Sequence, residues 1–537
     1  MKHNFKRGIA ALMAASVMAL TLAGCGGDSG KGTAQTPAAQ TTADSGQTQT
    51  PKGTGDSQSG ETAAAGDGSV IDFDAEPYEV VMEVLNLGQD YPDLPEIEAA
   101  INEITLPAIN CTLKIQPIHI GDHATKLSLA AAGGDKFDLV YTGTTTSLSS
   151  LVSDGVLVPL NDIAATHAPE LLAKAGDLAE AGKIDGELYT LPADLYPAAG
   201  GAVVYNVDMA KQYGLELPEK ITSWRDLEPV AETLAKNGVY LMTPGDGGTG
   251  MIMGYCSDIA ADFGGDYNYG VIMKNGDTTI ENFYETDFFM DYCKMMKEWR
   301  DKGYIPADCM TSGENAQDVF KVGKTFCQGI KYTPTEIAGN KNKYDFEVEF
   351  IVSREPILST EFVIQYAWGI CITSEQPERA MDMLNLIYTN SDVGNLLMYG
   401  LEGKEYEKVS EHIIRMPEGV TPQNTGYSVN FLRAGDFLDM YQWEPNTEDF
   451  YTDLPAFQEQ AEKSYILGYT FNADPVSTQL AAVTNVVSEY RPGLICGNVD
   501  DVDAAVAQFQ EKLEQAGILD IIAENQRQLN EWLAANK

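Results

Sequence analysis

His119 and His123 flank Asp122 in a His-x-x-x-His pattern, the residue types that hold a divalent metal. The pattern falls at a strand-to-loop junction rather than on one helical turn, and a zinc site would need a third and a fourth ligand. It reads as a polar loop, and no metal is expected. Gly245-Asp246-Gly247-Gly248-Thr249-Gly250 matches G-x-G-x-x-G after a predicted strand. A dinucleotide site also wants an acid at a strand end about 20 residues on. That region is Gly264-Gly265-Asp266-Tyr267, a loop, so the glycines read as lining a cleft and opening a helix. Gly323-Lys324-Thr325 carries the ending of a phosphate-binding loop, but Asp318 stands where the motif wants glycine, and a strand follows. No G-x-S-x-G occurs, and five histidines among 537 residues leave little for a nucleophile–base pair. With 79 acids, no carboxylate pair can be singled out as a glycosidase pair. No catalytic residue and no cofactor is expected.

The charge balance narrows the partners. Lys plus Arg number 35 against 79 acids, a formal net charge of −44. Such a field repels phosphate backbones, which excludes nucleic acid, and it repels anionic lipid headgroups as well. At 44% apolar residues the chain is globular, and its length suits two domains or one bilobed body. Residues 1–24 read as a signal peptide, with Lys2, Lys6 and Arg7 before the apolar run Ile9–Leu22. Leu22-Ala23-Gly24-Cys25 resembles the lipobox of bacterial lipoproteins, which implies acylation of Cys25 and anchorage by lipid chains. Residues 25–75 are mostly Gly, Ser, Thr, Gln, Ala and Asp, a disordered tether with no aromatic before Phe73. A flexible coil of that length reaches about 40 Å. Seven cysteines remain, Cys111, Cys256, Cys293, Cys309, Cys327, Cys371 and Cys496. Their odd number and wide spacing define no disulfide framework; buried free thiols are expected, with one or two bridges left open.

The positions of candidate residues depend on the elements around them. Tyr78–Leu87, Cys111–Ile118 and Phe137–Tyr141 read as strands separated by helices, which argues for a parallel sheet covered on its faces. Ligands of such sheets lie beyond the carboxyl ends of the strands, here the loops Gly88–Tyr91 and Tyr141–Thr144. Asp185-Gly186 turns a hairpin. An apolar strand at Ala202–Asn206, helices at 207–213 and 224–236 and a strand at Val239–Thr243 are expected to start a second βαβ series. Residues 286–301 form an amphipathic helix, with Trp224 and Trp299 in the core and Trp443 undecided. Strands are expected at Thr325–Lys331, Phe346–Val352 and Gln365–Thr373, and 402–450 is irregular. Val502, Val506, Phe509 and Leu513 share one helical face, and 518–536 forms a last helix.

In this order, Ala202–Met209, Thr222–Leu227, Gly303–Pro306, Phe320–Thr325, Trp368–Ile372 and Pro377–Ala380 resemble the extracellular solute-binding proteins of bacterial ABC importers, the maltodextrin-binding class. Gly468–Asn472, Pro475-Val476, Glu489-Tyr490, Ala516–Ile518 and Gln526–Trp532 narrow the likeness to Gram-positive lipoproteins with a C-terminal domain of unknown function. The resemblance implies an α/β, bilobed periplasmic-binding-protein-like (type II) fold, two lobes joined by hinge crossovers, and a helical C-terminus. The expected lobes are 76–198 plus 362–425, and 199–361 plus 426–537 with the C-terminal helices. The implied function is capture of a carbohydrate, commonly an oligosaccharide, and its delivery to a membrane permease. The expected protein is a monomer on the extracellular face of a Gram-positive cell membrane, and the family is not catalytic. A peptide or cationic solute suits the acidic body as an alternative, and a surface glycosidase is the enzymatic one.

Vicinal hydroxyls need planar carboxylates or amides, and the CH face of a sugar needs an aromatic ring. The strand-end and crossover loops hold that mixture at Gln89, Asp90, Tyr91, Tyr141, Asp194, Tyr196, Asp246, Asp266, Tyr267, Tyr332, Gln365, Tyr366 and Trp368.

Overall fold

The strand Tyr78–Asn86 is buried from Val80 onward, mostly with apolar side chains, because both of its faces are covered, and it opens the sheet of the first lobe. A computed structural model of the chain describes residues 71–244, 259–263, 267–312, 314–341, 343–429 and 432–536. The expected signal peptide, Cys25, the expected tether up to residue 70, Asp246 and Asp266 therefore lie outside the described residues. Among the described residues nine strands build the two main sheets: β1 (Tyr78–Asn86), β2 (Cys111–His119), β3 (Leu139–Thr142), β4 (Thr190–Pro192), β5 (Ala199–Asn206), β6 (Cys327–Tyr332), β7 (Val348–Leu358), β8 (Ala367–Ile370) and β9 (Glu462–Lys463).

The first lobe holds the sheet β2-β1-β3-β8-β4. β1 and β2 run parallel in continuous register from Tyr78↔Cys111 to Asn86↔His119, and β3 joins β1 in the same sense. This is the expected parallel core; β8 then pairs antiparallel with both β3 and β4. One face of the sheet buries the helix Leu94–Ile109 through Ile97 and Ile101, together with Pro377–Thr389. The other buries Leu127, Leu148 and Leu151. Asp138 fastens the edge: its carboxylate accepts the Tyr78 hydroxyl at 2.7 Å, the Val81 N–H at 2.8 Å and the Ser374 hydroxyl at 2.5 Å. Satisfied on three sides, that fully buried carboxylate stabilises the sheet instead of straining it.

The second lobe departs from the expected βαβ series. Its sheet is β6-β5-β7-β9, and β5 pairs antiparallel with both neighbours. The reason is connectivity: the chain enters this lobe on β5 and leaves it on β7, so the two must run in opposite senses. The strand expected at Val239–Thr243 is a single bridge, Tyr240↔Thr325. The core forms as read, with Trp299 on the helix Asp287–Asp301 and Trp224 both buried in it. Asp185 and Gly186, both at positive φ, turn the hairpin. The last helices are Ser477–Ile495, Val502–Ala516 and Ile518–Asn536, and Val502, Val506, Phe509 and Leu513 are all buried.

Two boundaries shift. Asn110, at the left-handed C-cap of the first helix, donates to the carbonyls of Asp72 and Ala75, so the chain is tied to the body before residue 76. Tyr427, Val429, Leu432 and Ala434, expected in the second lobe, bury in the core of the first. Their apolar side chains complete the face already formed by Leu397 and Leu384, and the nearest uncovered hydrophobic surface claims the segment. Among the described residues no helix is long and apolar enough to cross a membrane.

Candidate functional site

Among the described residues three connections join the lobes: Ala193–Ala198 between β4 and β5, the helix Thr360–Ile364 between β7 and β8, and the helix Phe450–Gln460 before β9. Each is anchored. The Tyr388 hydroxyl donates to the Ala193 carbonyl at 2.7 Å, and the Ala198 N–H donates to Gln458 Oε1 at 3.0 Å. Gly143, at φ 91°, lets the loop after β3 touch the second connection, where a Cβ would lie 1.9 Å from the Ile364 carbonyl oxygen.

Beside these connections lies a cleft of about 280 Å³. Asp194 and Tyr196 reach it from the first connection and Tyr366 from the start of β8. Lys331 and Thr333 come from the end of β6 on the opposite lobe, Thr335 and Glu336 from the helix Pro334–Lys341 that follows it, Tyr399 from the end of the helix Ser391–Tyr399, and Arg433, Gln442 and Trp443 from the segment expected to be irregular. The Tyr196 N–H donates to Asp194 Oδ1 at 2.8 Å, which fixes the carboxylate and leaves its second oxygen available. The Tyr196 hydroxyl donates to Asp436 Oδ1 at 3.3 Å, and burial, then the Asp436 charge, pushes that phenol up. Lys331 Nζ donates to Gln365 Oε1 at 3.3 Å and sits 4.9 Å from the Phe362 ring centroid, and burial lowers its ammonium.

Aromatic rings run from the core to this cleft. Trp368 lies 4.9 Å from Tyr141, and Tyr141 stacks on Tyr366 at 6.1 Å with 29° between the planes. The Arg433 guanidinium covers the outer face of Tyr366 at 5.3 Å. The Trp368 indole N–H donates to the Arg433 carbonyl at 3.0 Å, so the innermost ring also places the outermost cation. Trp443, half-buried, meets Tyr399 edge-on at 5.7 Å.

The sequence-derived residues divide into groups. Asp194, Tyr196 and Tyr366 line the cleft. Gln365 lines a second cavity of about 290 Å³ on the far side of the second connection, with Gly143, Ser147, Asp262 and Glu361. Glu361 meets the solvent of that cavity yet is ringed by protein, which raises its carboxyl, while Arg354 and Lys331 oppose the rise. Tyr141 and Trp368 are buried outright and support the site without facing a ligand. Tyr267 stacks on Phe283 at 4.2 Å inside the second core. Tyr332 turns away, against Phe457 and a separate groove, because neighbours at a strand end point to opposite sides. Lys331, its neighbour, takes the cleft instead. Gln89 and Asp90 are exposed in a turn where Gln89 Oε1 accepts the Leu87 N–H at 3.0 Å; Tyr91 packs edge-on against Tyr427 at 5.3 Å. His119 accepts the Gly121 N–H, and His123 is buried against Glu83 at 2.7 Å. Sequence reasoning missed Lys331, Glu336 and Arg433. Strand alternation beside Tyr332 could have found the first; nothing periodic marks Arg433.

Two sheet-based lobes, three crossings and a polar, aromatic cleft beside them define a bilobed binding protein. The chain belongs to the bacterial extracellular solute-binding proteins, whose family pattern matches residues 99–398; residues 465–534 match a domain of unknown function, DUF3502. A carbohydrate ABC transporter substrate-binding protein of Streptococcus pneumoniae serotype 4 is 26% identical over 477 residues, 85% of this chain and 92% of its own length. The crystal structure of the N-glycan transport solute binding protein NgtS from Streptococcus pneumoniae superposes with a TM-score of 0.73 at 22% identity, covering 86% of this chain and all of that one. An HMO-binding, ABC-transporter-associated solute-binding protein from Bifidobacterium longum infantis gives a TM-score of 0.59 at 15% identity, over 85% of this chain and 99% of that one. At these identities the structural likenesses are ones of fold.

Proposed function

We propose that the protein is the substrate-binding component of an ABC importer, and that it captures a neutral oligosaccharide in the cleft between Asp194, Tyr366 and Trp443 without reacting with it. The observation that carries this reading is the charge of the lining. Asp194 and Glu336 are matched by Lys331 and Arg433, and none of the four forms an ion pair among the described residues. A balanced set of fixed donors and acceptors suits hydroxyl groups, each of which donates and accepts. The half-buried Trp443 ring at the cleft wall suits the CH side of a pyranose. A cationic solute would call for an excess of acids in the lining, although the body as a whole is acidic. The pneumococcal relatives named for carbohydrate and N-glycan support the same class of ligand.

Contacts from both lobes favour a closed form, because only differential affinity moves such an equilibrium. The closed form is the one presented to the permease. Acylation of Cys25 holds the monomer on the outer face of the membrane, with residues 26–70 as the leash, and a Gram-positive cell is the setting. Calorimetry with a panel of neutral oligosaccharides, peptides and polyamines tests the reading. Micromolar binding of an oligosaccharide, about −8 kcal/mol, is expected. Binding of polyamines or peptides alone, or release of cleaved sugar, sinks it. Incorporation of labelled fatty acid into the wild type but not into C25A tests the anchor.

A further inference from the structure

Two buried cysteines lie in neighbouring segments of the second core. Cys309 lies in the turn after Pro306, beyond the helix Asp287–Asp301, and Cys496 caps the end of the helix Ser477–Ile495. Each thiol is shifted chiefly by the other, and both residues are buried in one core, Cys309 at 3% exposure and Cys496 at 0%. The flanking residues repeat the juxtaposition. Asn498 Nδ2 donates to Met310 Sδ at 3.6 Å. Gly497, at φ 62°, backs so closely onto the preceding helix that a Cβ would lie 2.4 Å from the Met296 carbonyl oxygen. The two segments are thus held side by side at the cysteines, just after them and across the adjoining helix. Cys293 and Cys327 differ: burial is the sole cause of their raised thiols.

We propose that Cys309 and Cys496 are an oxidation site at which this extracellular protein forms a disulfide, fastening its C-terminal helices to the second lobe. The reagent is a low-molecular-weight disulfide. The Cys309 thiolate attacks one of its sulfurs, a mixed disulfide forms, and the first reagent thiolate leaves. The Cys496 thiolate then attacks Cys309 Sγ, the protein S–S bond forms, and the second reagent thiolate leaves. The protein sulfurs lose two electrons, the reagent gains them, and the two cysteine protons end on the two released thiols. The charge of Arg300, held beside the turn by its bonds to the Ala307 carbonyl, favours a thiolate at Cys309, the attacking sulfur. Because both sulfurs are buried in the folded molecule, the exchange belongs to folding, before the C-terminal helices dock. Once formed, the bond is shielded from reductant.

The test is to refold the full chain in mixed oxidised and reduced glutathione, alkylate it in denaturant and map the peptides by mass spectrometry. Joined Cys309 and Cys496 peptides are expected, together with a Tm higher than that of the same chain refolded fully reduced. The C309S/C496S variant should melt at one temperature under both conditions. Alkylation of both cysteines after oxidative refolding, or a bridge from either one to another cysteine, overturns the proposal. The peptide map of the wild-type chain decides the matter even if the variant fails to fold.

Discussion

Trp368 and Trp443 are both tryptophans near a cleft, yet their environments give them different work. Trp368 is enclosed by Tyr141 and its indole N–H is spent on the Arg433 carbonyl, so W368A should lower stability by about 3–5 kcal/mol, read as a fall in the urea midpoint. Trp443 is half-buried at the cleft wall, and W443A should weaken oligosaccharide binding about thirty-fold, about 2 kcal/mol, with little change in that midpoint. Equal effects of the two variants on both measurements would contradict the assignment. Titration follows from burial in the same way. Burial pushes the Cys111 thiol up from 9.0 to about 11, and the Tyr91 and Tyr406 phenols up from 10.0 to about 12. The folded chain holds these protons longer than the unfolded one, so their contribution is complete below about pH 9 and is lost as the pH rises toward 12. Tm measured from neutral pH upward should fall steadily across that window; a flat profile would refute the account.

At the scale of elements, the connections and the C-terminal helices have separable roles. Gly143 lets the loop after β3 rest against the Ile364 carbonyl, and alanine there meets both a positive φ and a backbone clash. G143A should cost more than about 1 kcal/mol and also shift ligand affinity, because the second connection must move. Phe509 meets Tyr284 at 4.9 Å and Tyr490 at 5.7 Å, distant from the cleft. F509A should therefore lower stability by about 3–5 kcal/mol while the folded fraction binds ligand normally, which calorimetry corrected for folded protein would show. The helical phase of Val502, Val506, Phe509 and Leu513 was legible in the sequence because burial repeats with the turn of the helix. The antiparallel arrangement of the second sheet was not, because the sense of β5 against β7 follows from where the chain leaves and re-enters a lobe, and no local pattern encodes that.

For the whole molecule, closure is the motion that would turn binding into a signal to a permease. Addition of a bound oligosaccharide should reduce the radius of gyration in X-ray scattering, and an unchanged value would count against a two-lobed clamp. The net charge of −44 should matter little to such a ligand. Affinity for a neutral sugar should hold constant as salt is raised, whereas a cationic ligand would weaken steeply.

The sequence by itself determined the net negative charge, the first parallel strands, the amphipathic helices and three residues of the cleft, Asp194, Tyr196 and Tyr366. These are properties of a stretch of chain or of a loop next to a strand end, and local periodicity records them. Only the tertiary structure decided that Lys331 and not Tyr332 enters the cleft, that Trp368 and Tyr141 are its foundation, and that Arg433 arrives from an irregular segment. The physical reason is that a sequence pattern reports which side of its own element is buried. Which buried sides meet, and what gap they leave, is set by packing between residues far apart in the chain.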